Sequence, residues 1–276
     1  MIQDRNPVSA KSHLGKKTSY PVSYSPGLLQ PIPREENRLI LGIFAELPFH
    51  GDDIWNAYEL TWLDGRGRPR VATAEFHVPA TSPNIIESKS MKLYLNSHAM
   101  TGYADLEDVR AVIANDLSQS AAGPVTVSLN QLSENAVLSE LPGVCIDDNE
   151  IDCESVDVDP GLLTSIDGDA VEEELHSHLL RCLCPVTDQP DMGSLLIRYK
   201  GQPIDRSSLL RYIVSYRNHN DFHESCVERI FLDIQKRCEP DALTVYARYN
   251  RRGGIDINPF RSDFESTAEN TRLVRQ

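Results

Sequence analysis

Ile86-Glu87-Ser88-Lys89-Ser90-Met91-Lys92-Leu93-Tyr94 and Ile204-Asp205-Arg206-Ser207-Ser208-Leu209-Leu210-Arg211-Tyr212 occupy the same place in two halves of one chain. Each opens with an isoleucine and a carboxylate and closes on a tyrosine, and each leads into apolar residues at helical spacing. Working outward from the first copy, Tyr58–Leu63 and Val71–Val78 alternate polar and apolar residues around the turn-forming Asp64–Pro69, which predicts a β-hairpin. Leu106, Val109, Val112, Ile113 and Leu117 predict a helix, Gly123-Pro124 punctuates, and Val125–Leu129 predicts a strand. Around the second copy, Val171, Leu175, Leu179 and Cys182 predict a helix, and Leu195–Tyr199 a strand. Ser207–Arg217 predicts a short helix. Phe222, Cys226, Val227, Ile230, Phe231 and Ile234 mark one face of another, with Asp221 and Glu224 spaced as a capping box. Leu243–Tyr249 and Ile255–Ile257 flank Asn250-Arg-Arg-Gly-Gly254 as a hairpin. Each half reads strand, two helices, strand, strand. The expected fold is a duplicated α+β module.

The divisions that follow are an N-terminal arm at 1–38, a first module at 39–145, an acidic connector at 146–170 and a second module at 171–276. Net charge is −14, and residues 146–174 hold twelve acidic side chains with no Lys or Arg, so the rest is close to neutral. Such a balance argues against direct nucleic-acid binding. The acidic run reads as a solvated connector and lacks EF-hand spacing. No apolar run approaches a membrane span, and the start lacks a signal-peptide core, so a cytoplasmic protein with no membrane partner is expected. Six cysteines in 276 residues are too few for a disulfide framework and are expected as thiols.

Four groups could carry chemistry. Cys182-Leu-Cys184-Pro-Val-Thr-Asp-Gln-Pro190-Asp191 sets two thiols and a carboxylate in a proline-stiffened loop. A thiol acts as nucleophile only as thiolate. The helix expected before Cys184 would oppose that through its C-terminal dipole, which leaves Asp191 as the local proton acceptor. Asn218–Glu224 begins a helix, and Glu224 there suits either a capping box or the donor edge of a guanine-like ring. His176, His178, His219, His223, Cys182 and Cys184 include zinc-type ligands, but no CxxC or HExxH spacing is present, and a helix would put His176 and His178 on opposite faces. Glu87–Lys92 at a helix start and Arg251–Gly254 at a hairpin tip could hold phosphates or be ordinary surface turns. Neither a GxGxxG nor a GxxxxGK[ST] motif is present.

Glu87-Ser-Lys-Ser-Met-Lys-Leu-Tyr94, Cys184-Pro-Val-Thr-Asp-Gln-Pro-Asp191, Phe222–Phe231 and Tyr246–Pro259 together resemble the QueF nitrile reductases, the NADPH-dependent 7-cyano-7-deazaguanine reductases of queuosine biosynthesis, in their longer two-module branch. The resemblance runs from about Leu14 to the C-terminus. It implies tandem tunnelling-fold (T-fold) modules, antiparallel sheets with helices on one face that assemble into a barrel. It further implies a homodimer, NADPH as cofactor, a deazapurine substrate and no metal. By resemblance Cys184 adds to the nitrile to form a thioimide, Asp191 handles the proton, and His223 relays it or binds substrate. Glu87, Ser88, Lys89, Phe222, His223 and Glu224 contact the substrate, while Lys89, Ser90, Arg252 and Gly253 contact NADPH. Cys182 has no matched role and is expected to be structural. Two other readings are a zinc cyclohydrolase of the same fold and a noncatalytic purine-binding module.

Overall fold

The computed structural model describes residues 20–132, 138–152 and 157–276. Residues 1–19 of the expected arm and Cys153 lie outside the described residues. The elements run β1 (Pro31–Pro33), α1 (Arg34–Ile40), β2 (Asp52–Leu63), β3 (Pro69–Pro79), β4 (Asn84–Ile86), α2 (Ser88–Ser97), α3 (Leu106–Ala121) and β5 (Thr126–Asn130). They continue with β6 (Val144–Cys145), β7 (Val171–Leu183), β8 (Pro190–Gly201), α4 (Arg206–Ser215), α5 (His223–Cys238), β9 (Ala242–Tyr249) and β10 (Ile255–Ser262). The architecture is α+β. Among the described residues no helix is long and apolar enough to cross a membrane.

Two compact units are present. The first comprises the described residues of Met1–Asn37, Asp53–Ala136 and Arg251–Asp256; the second comprises those of Arg38–Asp52, Val137–Asn250 and Ile257–Gln276. In the first unit the sheet order is β5-β3-β2, and β1 pairs with β4. The expected hairpin is β2–β3, its turn closed by Asp64 N–H donating to the Arg68 carbonyl at 2.9 Å. In the second unit the order is β10-β9-β8-β7-β6, antiparallel except for the parallel β6–β7 edge. Cys226, Val227, Ile230, Phe231 and Ile234 of α5 are fully buried. Each such aliphatic or aromatic side chain contributes about 1.5–3 kcal/mol of burial.

The two helix starts match bond for bond. Glu87 caps α2 by accepting from Ser90 N, and Asp205 caps α4 by accepting from Ser208 N. Ser90 Oγ donates to the Glu87 carbonyl at 2.7 Å and Ser208 Oγ to the Asp205 carbonyl at 2.8 Å. Each serine also accepts from a preceding strand-like residue, Gln30 N at 3.0 Å and Thr164 N at 3.2 Å. Those residues follow a repeat that sequence reading passed over, Pro26-Gly27-Leu28 and Pro160-Gly161-Leu162, each forming one 3₁₀ turn. The closing tyrosines bond to acids of the next helix: Tyr94 Oη to Asp116 at 2.7 Å and Tyr212 Oη to Asp233 at 2.6 Å.

The helix expected over Val171–Cys182 is a strand, β7. Val171, Leu175 and Leu179 are four apart, an interval that fits alternate strand positions as well as a helical face. Cys182 breaks that parity, and the structure absorbs the odd interval in a β-bulge. Ser177 pairs with Leu195 and Leu180 with Gly193, so β7 carries one residue more than β8 between them. Leu175, Ser177, Leu180 and Cys182 are consequently all buried. No helix dipole precedes Cys184, and the opposition to a thiolate expected from one is removed.

Candidate active site

The expected site residues fall into two groups, one in each unit. In the first unit, Glu87 is 2% exposed and each of its carboxylate oxygens accepts one backbone N–H of the α2 start, from Lys89 and Ser90, at 2.8 Å. Each oxygen keeps a second lone pair. Ser88 and Lys89 are half-buried, whereas Ser90 is fully buried with its hydroxyl engaged as donor and acceptor. The Arg252–Ile255 tip is a two-glycine turn, Gly253 at φ +60° and Gly254 at φ +80°, closed by Arg252 N–H to the Ile255 carbonyl at 2.9 Å. A Cβ on Gly253 would lie 3.1 Å from Cδ of Lys92. Gly253 and Lys92 are thus neighbours, with Arg252 next to the one in the chain and Lys89 one helical turn from the other. Arg251 lies over the Tyr58 ring, 4.8 Å from its centroid, and Tyr58 Oη donates to Asp256 at 2.6 Å.

In the second unit, the β7–β8 loop holds Cys184. Its N–H donates to the Gln189 carbonyl and its carbonyl accepts from Asp188 N–H, both at 3.0 Å. The segment before α5 clasps this loop. Leu183 N–H donates to the His219 carbonyl at 2.8 Å, and Asn220 Nδ2 donates to Asp188 Oδ1 at 2.6 Å. That clasp brings the start of α5 beside the start of β8. His223 Nε2 lies 3.3 Å from Oδ2 of Asp191, itself 6% exposed and the cross-strand partner of Cys182. The His223 ring stacks on Tyr249 with centroids 3.7 Å apart.

The expected capping box is not formed. The N-cap of α5 is Phe222, with no side-chain cap bond, and Asp221 accepts from Phe222 N instead. Glu224 is therefore displaced by one position from the box geometry. It is 4% exposed at the helix start, where N–H groups and dipole favour a carboxylate.

Three thiols of this region differ sharply. Cys182 and Cys226 are fully buried, and Cys182 Sγ lies 3.8 Å from Tyr249 Oη. The Cys226 thiol is held well above the usual range, first by its contact with Cys182 and then by burial. Burial also holds the Tyr249 phenol well above its ordinary value. Cys184 alone of the three is partly open to solvent. Ligand atoms of Cys182, Asp191 and His223 lie within 4.8 Å of one another. A cation could be held there, although the Asp191–His223 contact equally serves proton transfer. Sequence reading assigned no role to Tyr249 or Asn220, although Tyr249 lies in the quoted Tyr246–Pro259 stretch and Asn220 in Asn218–Glu224.

Residues 20–129 match the family model described as nitrile reductase, 7-cyano-7-deazaguanine-reductase N-term, and residues 190–268 match that of QueF-like protein. A protein of Dechloromonas aromatica (strain RCB) named NADPH-dependent 7-cyano-7-deazaguanine reductase is 53% identical over 272 residues, 97% of this chain and 96% of that one. One of the same name from Bordetella pertussis is 52% identical over 266 residues, 95% of this chain and 97% of that one. The solved archaeosine synthase QueF-Like, in the apo form, overlays on 35% of this chain and 95% of that chain with 14% identity and a TM-score of 0.30, too slight a likeness to define a fold.

Proposed function

The chain belongs to the QueF family of 7-cyano-7-deazaguanine reductases, NADPH-dependent oxidoreductases of queuosine biosynthesis, and from that premise we propose that it reduces the nitrile of 7-cyano-7-deazaguanine to the primary amine through a covalent adduct on Cys184. The observation that carries the residue assignment is the partly open Cys184 at the mouth of a hairpin whose return strand carries Asp191, itself 3.3 Å from His223 at the start of α5.

A nitrile carbon is a poor hydride acceptor, and addition of a thiol converts it to a protonatable C=N. Cys184 sulfur bonds to that carbon while its proton passes through Asp191 to the nitrile nitrogen, giving a thioimide. Bound NADPH, held by Lys89, Ser90, Arg252 and Gly253, would supply one hydride to the same carbon in each of two rounds. After the first, with a proton delivered to nitrogen, the C–S bond breaks, Cys184 recovers its proton and an imine remains. The second hydride and a further proton complete the amine, so two hydrides and two protons balance the four-electron reduction. Asp191 and His223 act as the relay for these protons.

Glu87 and Glu224 are the carboxylates assigned to the donor edge of the deazaguanine, with Ser88, Lys89, Phe222 and His223 as its further substrate contacts. Lys89, Ser90, Arg252 and Gly253 serve NADPH, with Ser90 acting through the helix start. The left-handed backbone at Gly253, packed against the Lys92 side chain, supports this placement. The tandem T-fold modules, divided near residues 145 and 171, their closure into a barrel and a homodimer of cytoplasmic chains extend the same reading.

The decisive experiment follows NADPH absorbance on adding 7-cyano-7-deazaguanine to the wild type and to Cys184→Ala. Two NADPH consumed per substrate by the wild type and none by the variant are expected. An unchanged rate in Cys184→Ala rejects the nucleophile assignment, and a silent wild type rejects the activity.

A further inference from the structure

At the far side of the second unit the edge strand β6 lies parallel to β7 with Cys145 directly opposite His176. Paired residues of adjacent strands share a face, so the thiol and the imidazole stand side by side. His178 follows two residues on, and its ring centroid is 5.2 Å from that of His176. Cys145 Sγ and one ring nitrogen from each histidine lie within 4.8 Å of one another. Helical geometry would have separated the two histidines; the strand brings them together. The close approach of β6 is built in. Gly143 has φ +80°, and a Cβ there would sit 2.1 Å from the Glu174 carbonyl oxygen.

The surroundings are those of a cation site. Nδ1 of His176 is 2.9 Å from the Pro142 carbonyl, which can only accept, so this nitrogen carries the proton and Nε2 keeps its lone pair. Nδ1 of His178 is 2.8 Å from Ser194 Oγ, again leaving Nε2 outward. A hydrogen bond on the second ring nitrogen is the usual companion of a metal-ligating histidine. Asp147 fixes the strand itself, accepting from Ser177 Oγ at 2.6 Å and from His178 N–H at 2.9 Å. The Arg275 guanidinium, bonded to the His178 carbonyl at 3.0 Å, opposes a cation, and Asp147, Asp148 and Glu140 offset it.

We propose that Cys145, His176 and His178 form a binding site for a zinc-class divalent cation, with solvent as fourth ligand, that clamps edge strand β6 onto β7. One thiolate and two imidazoles suit a borderline-soft ion and not calcium or magnesium. Tetrahedral bonds of about 2.0–2.3 Å require the ligand atoms to close by about an ångström, a movement within reach of the exposed Cys145 side chain. On binding, the Cys145 S–H bond breaks, sulfur bonds the metal and one proton leaves to solvent. The clamp is separate from the catalytic cluster. Cys182 lies four residues beyond His178 on β7, roughly 13 Å along the strand.

The test uses the full chain, stripped with a chelator and titrated with zinc against a chromophoric competitor, then with cobalt(II). One equivalent is expected to bind, with a thiolate-to-cobalt charge-transfer band and a rise in melting temperature. Cys145→Ser and His178→Gln should each weaken zinc binding about 100-fold or more, at or beyond the loss seen when only an outer-shell partner is removed. Cys182→Ser should leave the affinity unchanged. Absence of stoichiometric binding, absence of the sulfur–cobalt band, retention of affinity in Cys145→Ser, or loss of it in Cys182→Ser overturns the proposal.

Discussion

The imidazole of His223 lies flat on the phenol ring of Tyr249, with centroids 3.7 Å apart and planes 5° from parallel. Tyr249 belongs to β9 and is fully buried, so it is a fixed platform that sets the plane in which His223 can meet Asp191. Removing the platform should misplace the relay without touching the nucleophile. Tyr249→Phe keeps the ring and is expected to retain kcat/KM within about three-fold, whereas Tyr249→Ala should lose about 10- to 100-fold, the scale of an ångström-sized misplacement. Steady-state NADPH oxidation distinguishes them. Equal rates for Ala and wild type would remove Tyr249 from the account.

Asp191 faces His223 from the strand paired with β7, and it is almost fully buried. Asparagine preserves the shape but cannot take up a proton. Asp191→Asn should lower kcat by about 10²- to 10⁴-fold, the range for loss of a general acid–base group. Substrate affinity measured by titration without NADPH should change far less. A loss confined to affinity would make Asp191 a binding residue.

Acid sensitivity is expected from the first unit. His98 is wholly buried, stacked edge-on to Tyr94, with Nδ1 2.6 Å from Tyr103 Oη. Burial lowers its pKa from 6.5 to about 4, partly opposed by Asp116. The unfolded chain therefore binds the proton first. Stability is full above about pH 6.5 and falls between there and pH 4, by about 3 kcal/mol at most for this group. Denaturant melts of wild type and His98→Phe at pH 7 and pH 4.5 should show a smaller pH-dependent loss in the variant. Parallel losses would assign the acid limb elsewhere.

Gly253 occupies left-handed backbone against Lys92. Gly253→Ala carries about 1–2 kcal/mol of conformational strain and pushes the Lys92 side chain aside. The expected result is a KM for NADPH raised about 10-fold, with kcat at saturating NADPH little altered. An unchanged KM would place the cofactor away from this turn.

The two helix starts at Glu87 and Asp205, the α3 and α5 faces and both hairpins were legible in the sequence, because each rests on local chemistry: a cap, a 3.6-residue period, a two-glycine tip. What escaped notice depends on partners distant in the chain. β7 passed for a helix because its apolar residues are spaced by four. The capping box at Asp221 failed because Asn220 and Asp221 are drawn into the clasp on the cysteine loop, which moves the cap to Phe222. The candidate site was located through its motifs. The platform beneath His223 was not, because nothing in a tyrosine's own neighbourhood tells which ring it will carry.

The bulge between Ser177 and Leu180 has an arithmetic consequence. A hairpin that zipped straight on from the Ser177–Leu195 pair would set Arg181, not Cys182, opposite Asp191. Every paired side chain from Leu180 onward would then change face, turning Cys182 out of the core. The native pairing and this slipped one compete for the same residues, and the spare residue at His178–Leu179 decides between them. The position of the thiols relative to Asp191 is thus settled by a count made during strand pairing, before any chemistry of sulfur is involved.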